Sequence, residues 1–234
     1  MLDLEFIKET LLTTAGGIPE TLELVVITLI ISVPIAFYMA VVNLNPKRFL
    51  SKVFRIYISF VRSVPVIIII FLIYHLVPIL ITAALNGLEI GFNVYNIDNM
   101  VYGCVVFSFV SIPNLSEVFR AGLNSVPAIQ KEAAGSIGMT NYQAYIHIIL
   151  PQAVDAALPV LCTFVTNLIK MTSLAFCMSI KEITGEAKVA AASSIRYIEC
   201  YVVIFIMYLI INIVVEQIFK YFEKNRKFYL VKTY

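Results

Sequence analysis

The sequence predicts an all-α integral membrane protein, a single transmembrane domain over 1–234 with five membrane-spanning helices. Three observations carry this. The 234 residues are 60% hydrophobic and 14% charged with a mean hydropathy of +0.90, against about 45–50% apolar and ~25% charged in an average soluble domain. Five separate runs reach the ~20 apolar residues that cross a bilayer. Lys and Arg are unevenly shared between the connections, as they are when a chain is threaded through a membrane. Soluble, disordered, collagen-like and disulfide-scaffold classes are excluded. The 17 Lys+Arg nearly balance the 15 Asp+Glu, so net charge gives no reason to expect a nucleic-acid partner.

The opening segment, Met1 to Thr10, has no positive n-region, so no cleavable signal peptide is expected and the first span is retained. The expected spans are about Leu22–Val42, Ile56–Ile81, Met100–Phe119, Val154–Ser179 and Tyr201–Phe222. The first connection holds Lys47, Arg48, Lys52 and Arg55, and the tail holds Lys224, Arg226, Lys227 and Lys232. Both read as cytoplasmic. The second connection, His75 to Asn99, has no Lys or Arg but carries Glu89 and Asp98, which fits the outside. The last connection mixes Lys181, Lys188 and Arg196 with Glu182, Glu186 and Glu199 and votes for neither side. The expected arrangement is N-terminus outside, C-terminus inside. Tyr57, Tyr74, Tyr95, Tyr102, Tyr201 and Tyr221 fall near span ends, where an amphipathic ring suits the headgroup layer.

The third connection, about 127–150, is then cytoplasmic and reads as folded. Pro127 can open a helix, Glu132, Ala133 and Ala134 are good helix formers, and Gly138 is placed to end it in the left-handed conformation. A second amphipathic helix, Asn141 to Ile149, leads to Pro151 at the mouth of span four. Small side chains around Gly135 would let another surface approach closely.

The spacing Glu132-Ala133-Ala134, three residues, Gly138, nine residues, Ile148-x-Leu150-Pro151 resembles the coupling-loop (EAA) motif of permease subunits in ABC importers, with every fixed position filled. The likeness runs from about Ile18 to Phe228 and is closest to the polar amino acid permeases of the histidine, glutamine, arginine and cystine group. The resemblance implies a type I ABC importer permease fold in a bacterial cytoplasmic membrane. It implies that Glu132, Ala133, Ala134, Gly135 and Gly138 contact a separate ATPase dimer, which binds the ATP and Mg and drives alternating access. It implies two further partners, a solute-binding protein outside and a second permease subunit, identical or a sibling. The stretches Thr172–Phe176 and Ser136–Thr140 resemble the cystine branch, which makes L-cystine the expected substrate, although arginine, glutamine or histidine would suit the same residues.

An ionisable residue inside a span is a functional hypothesis by default. Glu117 and Arg120 stand three apart on one helix face and can neutralise each other. Arg62 sits in Phe60–Pro65, similar to an Arg-Gly-Thr-Pro motif but with Ser63 and Val64 in place of Gly and Thr. Lys170 sits in a stretch similar to the family's Lys-Asp-Thr-Ser-Leu, with Met171 replacing the acid, and Thr163 stands where Asn is common. Two readings stand. In one, Lys170, Thr172 and Ser173 face a translocation cavity and meet a substrate carboxylate, Glu117 meets an ammonium group, and Arg120 and Arg62 complete the site. In the other, these charges satisfy one another at a helix bend, with Arg62 and Asp155 structural.

No phosphate-cradling G-x-x-x-x-G-K-[ST] and no hydrolase or metalloprotease motif occurs, so the chain is expected to be non-enzymatic and to bind no cofactor itself. His75 and His147 lack a second ligand at helical spacing, so no metal is expected. Cys104, Cys162, Cys177 and Cys200 read as small packing residues. The alternative function is a stand-alone secondary transporter or channel that uses Glu117 and Lys170 as an ion or proton site.

Overall fold

The computed structural model describes residues 3–87 and 94–226. Among these there is no strand. The helices are α1 (Leu4–Ala15), α2 (Ile18–Asn43), α3 (Phe49–Ser63), α4 (Val66–Gly87), α5 (Asn99–Ser125), α6 (Ala128–Ser136), α7 (Asn141–Ala144), α8 (Leu150–Met171), α9 (Ile183–Ser194) and α10 (Tyr197–Arg226), with 3-10 turns at Val94–Asn96 and Thr172–Met178. Five stretches are long and apolar enough to cross a membrane, Ile18–Asn43, Val66–Asn86, Asn99–Ser125, Asn141–Met178 and Tyr197–Asn225. Glu89, Lys227 and Lys232, used above to weigh the sides of the membrane, lie outside the described residues.

The second expected span, Ile56–Ile81, is corrected by the structure. The apolar run continues across residues 63–66, but Pro65 disfavours the helical conformation in the residue before it. Val64 is accordingly extended (φ −105°, ψ 133°), and it divides the run into α3 and α4. The part long and apolar enough by itself to cross a membrane is α4, while α3 is a distinct amphipathic helix with a buried line through Ser51, Ile58 and Val61. Prolines inside α2, α5 and α8 (Pro34, Pro113, Pro159) leave those helices unbroken, as neighbouring helices in a bundle allow.

A second element was not foreseen. Asp3 caps α1 by accepting from the amides of Glu5 and Phe6, both at 3.1 Å. The guanidinium of Arg196, between α9 and α10, reaches the Asp3 carboxylate and lies 4.9 Å over the Phe6 ring. The ion pair and capping amides hold the Asp3 carboxyl below its ordinary range. This ties α1 to the α9–α10 junction.

The bundle is organised around α5, the most buried of the five spans. Lipid tails offer helices no hydrophobic gain from association, so close packing and small residues must hold them. Phe107, Val106 and Leu115 of α5 are fully buried, against Leu24, Ala36 and Met39 of α2 and Leu168 and Ile169 of α8. Where α5 meets α8 the fit depends on Gly122, at which a Cβ would stand 2.7 Å from the Ala153 carbonyl oxygen. The four cysteines are free, with Cys104 and Cys200 buried.

Candidate functional site

The third connection is a folded block. Pro127 precedes α6 with an extended backbone, and Gly138 stands at φ +84°. The Met139 amide donates to Ala134 O (3.1 Å) and the Gly138 amide to Gly135 O (3.0 Å). This pair of bonds is the Schellman closure that requires a left-handed residue at Gly138. Thr140 and Gln143 then form a capping box that starts α7. From Tyr145 to Ile149 the chain loosens into a π turn and runs on into α8, so the expected second helix, Asn141–Ile149, is the foot of span four. Gln130 of α6 and Gln152 of α8 exchange two side-chain bonds (3.1 and 2.6 Å), and the Lys131 ammonium lies 5.2 Å over the Tyr145 ring. Side chains of α6 thus bond directly to the foot of span four.

Within this block Glu132, Ala133, Gly135 and Gly138 are exposed. Ala134 is not: it is 2% exposed. Its expected place on a docking surface is corrected, because one residue is about 100° of helix and Ala134 turns inward where Ala133 turns outward. The outward face also carries Ile129, Ile137 and Tyr142, three-quarters or so exposed.

The second feature is a cleft of about 480 Å³ between α3, α5 and α8, within the roughly 300–1,000 Å³ typical of small-molecule sites. Arg62 enters it from α3, Ser111, Asn114 and Glu117 from α5, and Thr163, Asn167 and Met171 from α8. Glu117 is held by Arg120, whose Nε and Nη2 donate to the two carboxylate oxygens at 3.0 and 2.6 Å. Arg62 has no such partner: the ion pairs among the described residues are Arg120–Glu117 and Arg196–Asp3. Ser111, 1% exposed, holds its hydroxyl at the cleft without a hydrogen-bond partner.

Four expected cavity residues lie elsewhere, Arg120 among them: it holds Glu117 but is not part of the lining. Lys170 is exposed, does not line the cleft, and donates from Nζ to Asn167 Oδ1 at 3.3 Å. Thr172 is fully buried, donating to Ile169 O at 2.6 Å. Ser173 is half-buried and outside the lining. At Thr172 the helix changes from α to 3-10, which tightens the turn to three residues; Lys170 lies before that change, on regular α-helix. The two departures noticed in the sequence, Thr163 and Met171, both line the cleft.

Sequence reasoning also passed over Glu182. Its side chain is fully buried, accepts from the amides of Thr184 (2.8 Å) and Gly185 (2.9 Å), and accepts from the Tyr208 hydroxyl of α10 (2.8 Å). Burial pushes its carboxyl above the ordinary range. The next amide, Ile183, donates to Thr21 Oγ1 of α2. The only sequence signal was an acid three residues before Gly185 at a helix start.

A model of the family described as "binding-protein-dependent transport system inner membrane component" matches residues 32–228. The chain belongs to that family. The "probable amino-acid permease protein YxeN" of Bacillus subtilis (strain 168) is 33% identical over 232 residues, covering 95% of each chain. The "L-cystine transport system permease protein TcyL" of the same organism is 28% identical, covering 96% of this chain and 92% of that one. The fold matches the "crystal structure of an amino acid ABC transporter with histidines" at a TM-score of 0.80, with 24% identity over 96% of this chain and 99% of that chain. As a binding-protein-dependent inner membrane component the chain is a multi-pass permease subunit and depends on a separate binding protein. The alternative of a carrier acting alone gives way to this membership, and its two ion-site residues are engaged, Glu117 by Arg120 and Lys170 by Asn167.

Proposed function

We propose that this chain is the permease subunit of an ATP-driven importer of polar amino acids in a bacterial cytoplasmic membrane, and that L-cystine is its substrate. Its N-terminus is outside and its C-terminus inside, as the basic first connection supports. Two permease subunits, this chain with a copy or a sibling, enclose the path, a solute-binding protein delivers substrate outside, and an ATPase dimer that binds ATP and Mg docks on the cytoplasmic block. Docking uses Glu132, Ala133, Gly135 and Gly138 together with Ile129 and Ile137. Closure of the ATPase pushes α6, and the Gln130–Gln152 pair passes the push to α8 and so to one wall of the cleft.

The observation that carries the substrate reading is the unpaired Arg62 guanidinium at a cleft that also holds the unsatisfied Ser111 hydroxyl. A guanidinium binds a carboxylate in a planar fork. Because Glu117 is already neutralised by Arg120, the cleft carries a surplus positive charge and disfavours net-cationic amino acids. A dicarboxylate zwitterion such as cystine suits it better than arginine. The naming of TcyL as a cystine permease supports the same choice.

The test is uptake of labelled L-cystine by liposomes holding this chain and its ATPase, with binding protein and ATP on the proper faces. ATP-dependent uptake, competed poorly by arginine and glutamine, is expected. ATP-dependent uptake of another amino acid with no cystine uptake would reject cystine, and ATP-independent uptake would reject the importer.

A further inference from the structure

The cleft opens beside α3, and α3 carries more charge than a structural helix needs. Lys52, Arg55, Ser59 and Arg62 follow one another at three, four and three residues, the spacing of a single helix face, and all four are exposed. Arg48 stands four residues before Lys52 at the helix start. No ion pair with any of these cations occurs among the described residues. The line is separate from the other two faces of α3. Ser51, Ile58 and Val61 are buried against the bundle, and Phe49, Val53, Ile56 and Phe60, at four, three and four residues, form an exposed apolar stripe suited to hydrocarbon. The uppermost cation, Arg62, lines the cleft, and Arg55, seven residues before it, stands two turns down the same face of α3.

We propose that Arg62, Arg55 and Lys52 form a cationic track along which a carboxylate-bearing substrate leaves the cleft for the cytoplasm, Arg62 holding it in the cleft and Arg55 and Lys52 receiving it below. The proposal rests on the cleft reading and on the inside placement of Arg48. Arg62 and Arg55 are two helical turns, ~10 Å, apart along the axis, so a substrate with a carboxylate at each end can touch one before it has left the other. Neutral side chains there would leave the carboxylate to shed its Arg62 contact before finding another. An anionic lipid headgroup offers the same oxyanion chemistry and is the competitor for this face.

The experiment compares ATP-driven uptake of labelled L-cystine by the assembled transporter in vesicles for the parent, Arg55→Gln, Lys52→Gln, Arg55→Lys and Arg62→Gln. Each vesicle set is made once of phosphatidylcholine alone and once with phosphatidylglycerol. The expected result is an uptake rate lowered about threefold by Arg55→Gln or Lys52→Gln, the size of one exposed charge contact, rescued by Arg55→Lys, and the same in both lipids. Uptake by Arg55→Gln and Lys52→Gln at the parent rate overturns the track. A defect confined to phosphatidylglycerol vesicles overturns it too, because the face then binds headgroups. If Arg55→Gln fails to assemble, Lys52→Gln, about a turn farther along α3 from Arg62, decides. Normal uptake by Arg62→Gln would defeat the cleft reading itself, whereas a defect there with normal Arg55→Gln and Lys52→Gln defeats the track alone.

Discussion

Tyr208 donates its phenolic hydroxyl to Glu182 Oε2 at 2.8 Å, joining α10 to the cap of α9 at the end of the bundle where α1 also packs. The Glu182 carboxyl is fully buried and is held above its ordinary value of 4.5. The folded chain therefore grips this proton more tightly than the unfolded chain, so the carboxyl's contribution to stability is greatest below that ordinary value and is lost as pH rises through the raised one. The Asp3 carboxyl, held low, acts in the opposite sense, and comparison with a Glu182→Gln variant removes its effect. The thermal midpoint of Glu182→Gln relative to the parent is expected to rise as pH is raised. A difference that stays flat with pH would contradict the buried-carboxyl account.

Gly122 and Gly135 are both helical glycines, but a Cβ on Gly122 would stand 2.7 Å from the Ala153 carbonyl, whereas one on Gly135 meets nothing within 4 Å. Gly122→Ala must part α5 from α8 and should cost about 1–3 kcal/mol. Gly135→Ala should leave the purified permease unchanged or more stable by up to ~1 kcal/mol, the helix-propensity gain. Thermal unfolding in detergent measures both, and equal midpoints would mean that the α5–α8 contact is looser than described.

Five apolar runs were visible in the sequence because composition alone reports burial in lipid. What hydropathy could not show was direction. The run through Val64 and Pro65 is apolar on both sides of the break, so only the conformational rule for a residue before proline could have divided α3 from α4. The side on which Lys170 sits could not be read because which face of α8 fronts the cleft is set by the packing of α3 and α5 around it, which the sequence of α8 alone does not report. Gly138 was legible since its left-handed backbone follows from its place after a run of helix formers. Arg62 had looked structural for the opposite reason: its vacancy for a partner is a fact about neighbours on α5 and α8, which spacing along one helix cannot report.

Ala133 and Ala134 are adjacent in sequence and opposite in environment, one exposed and the other buried. Ala134→Leu should destabilise the chain by about 1–3 kcal/mol by overfilling the space around a buried alanine. Ala133→Leu and Glu132→Arg should lie within about 0.5 kcal/mol of the parent in the isolated permease, as exposed substitutions do. Both should nevertheless lower co-purification of the ATPase and ATP-driven uptake. Full ATPase recovery with Ala133→Leu and with Glu132→Arg would remove this face of α6 from the docking surface.

Arg62 and Lys170 make the sharpest contrast, since sequence reading favoured Lys170 as the carboxylate ligand and the geometry favours Arg62. Arg62 lines the cleft unpaired, and Lys170 lies outside it with Asn167 for a partner. Losing a charged hydrogen bond to substrate costs about 1.5–3 kcal/mol, so Arg62→Gln should reduce ATP-driven uptake roughly tenfold or more. Lys170→Gln gives up an exposed contact worth roughly 0–1 kcal/mol and should stay within about threefold of the parent. Arg62→Lys separates charge from shape: it keeps the positive field but loses the planar fork, so it should recover only part of the loss. The measurement is the initial rate of labelled substrate uptake at matched levels of assembled transporter. If Lys170→Gln proved the more damaging change, the substrate would be meeting α8 at its far end, and the cleft between α3, α5 and α8 would not be its resting place.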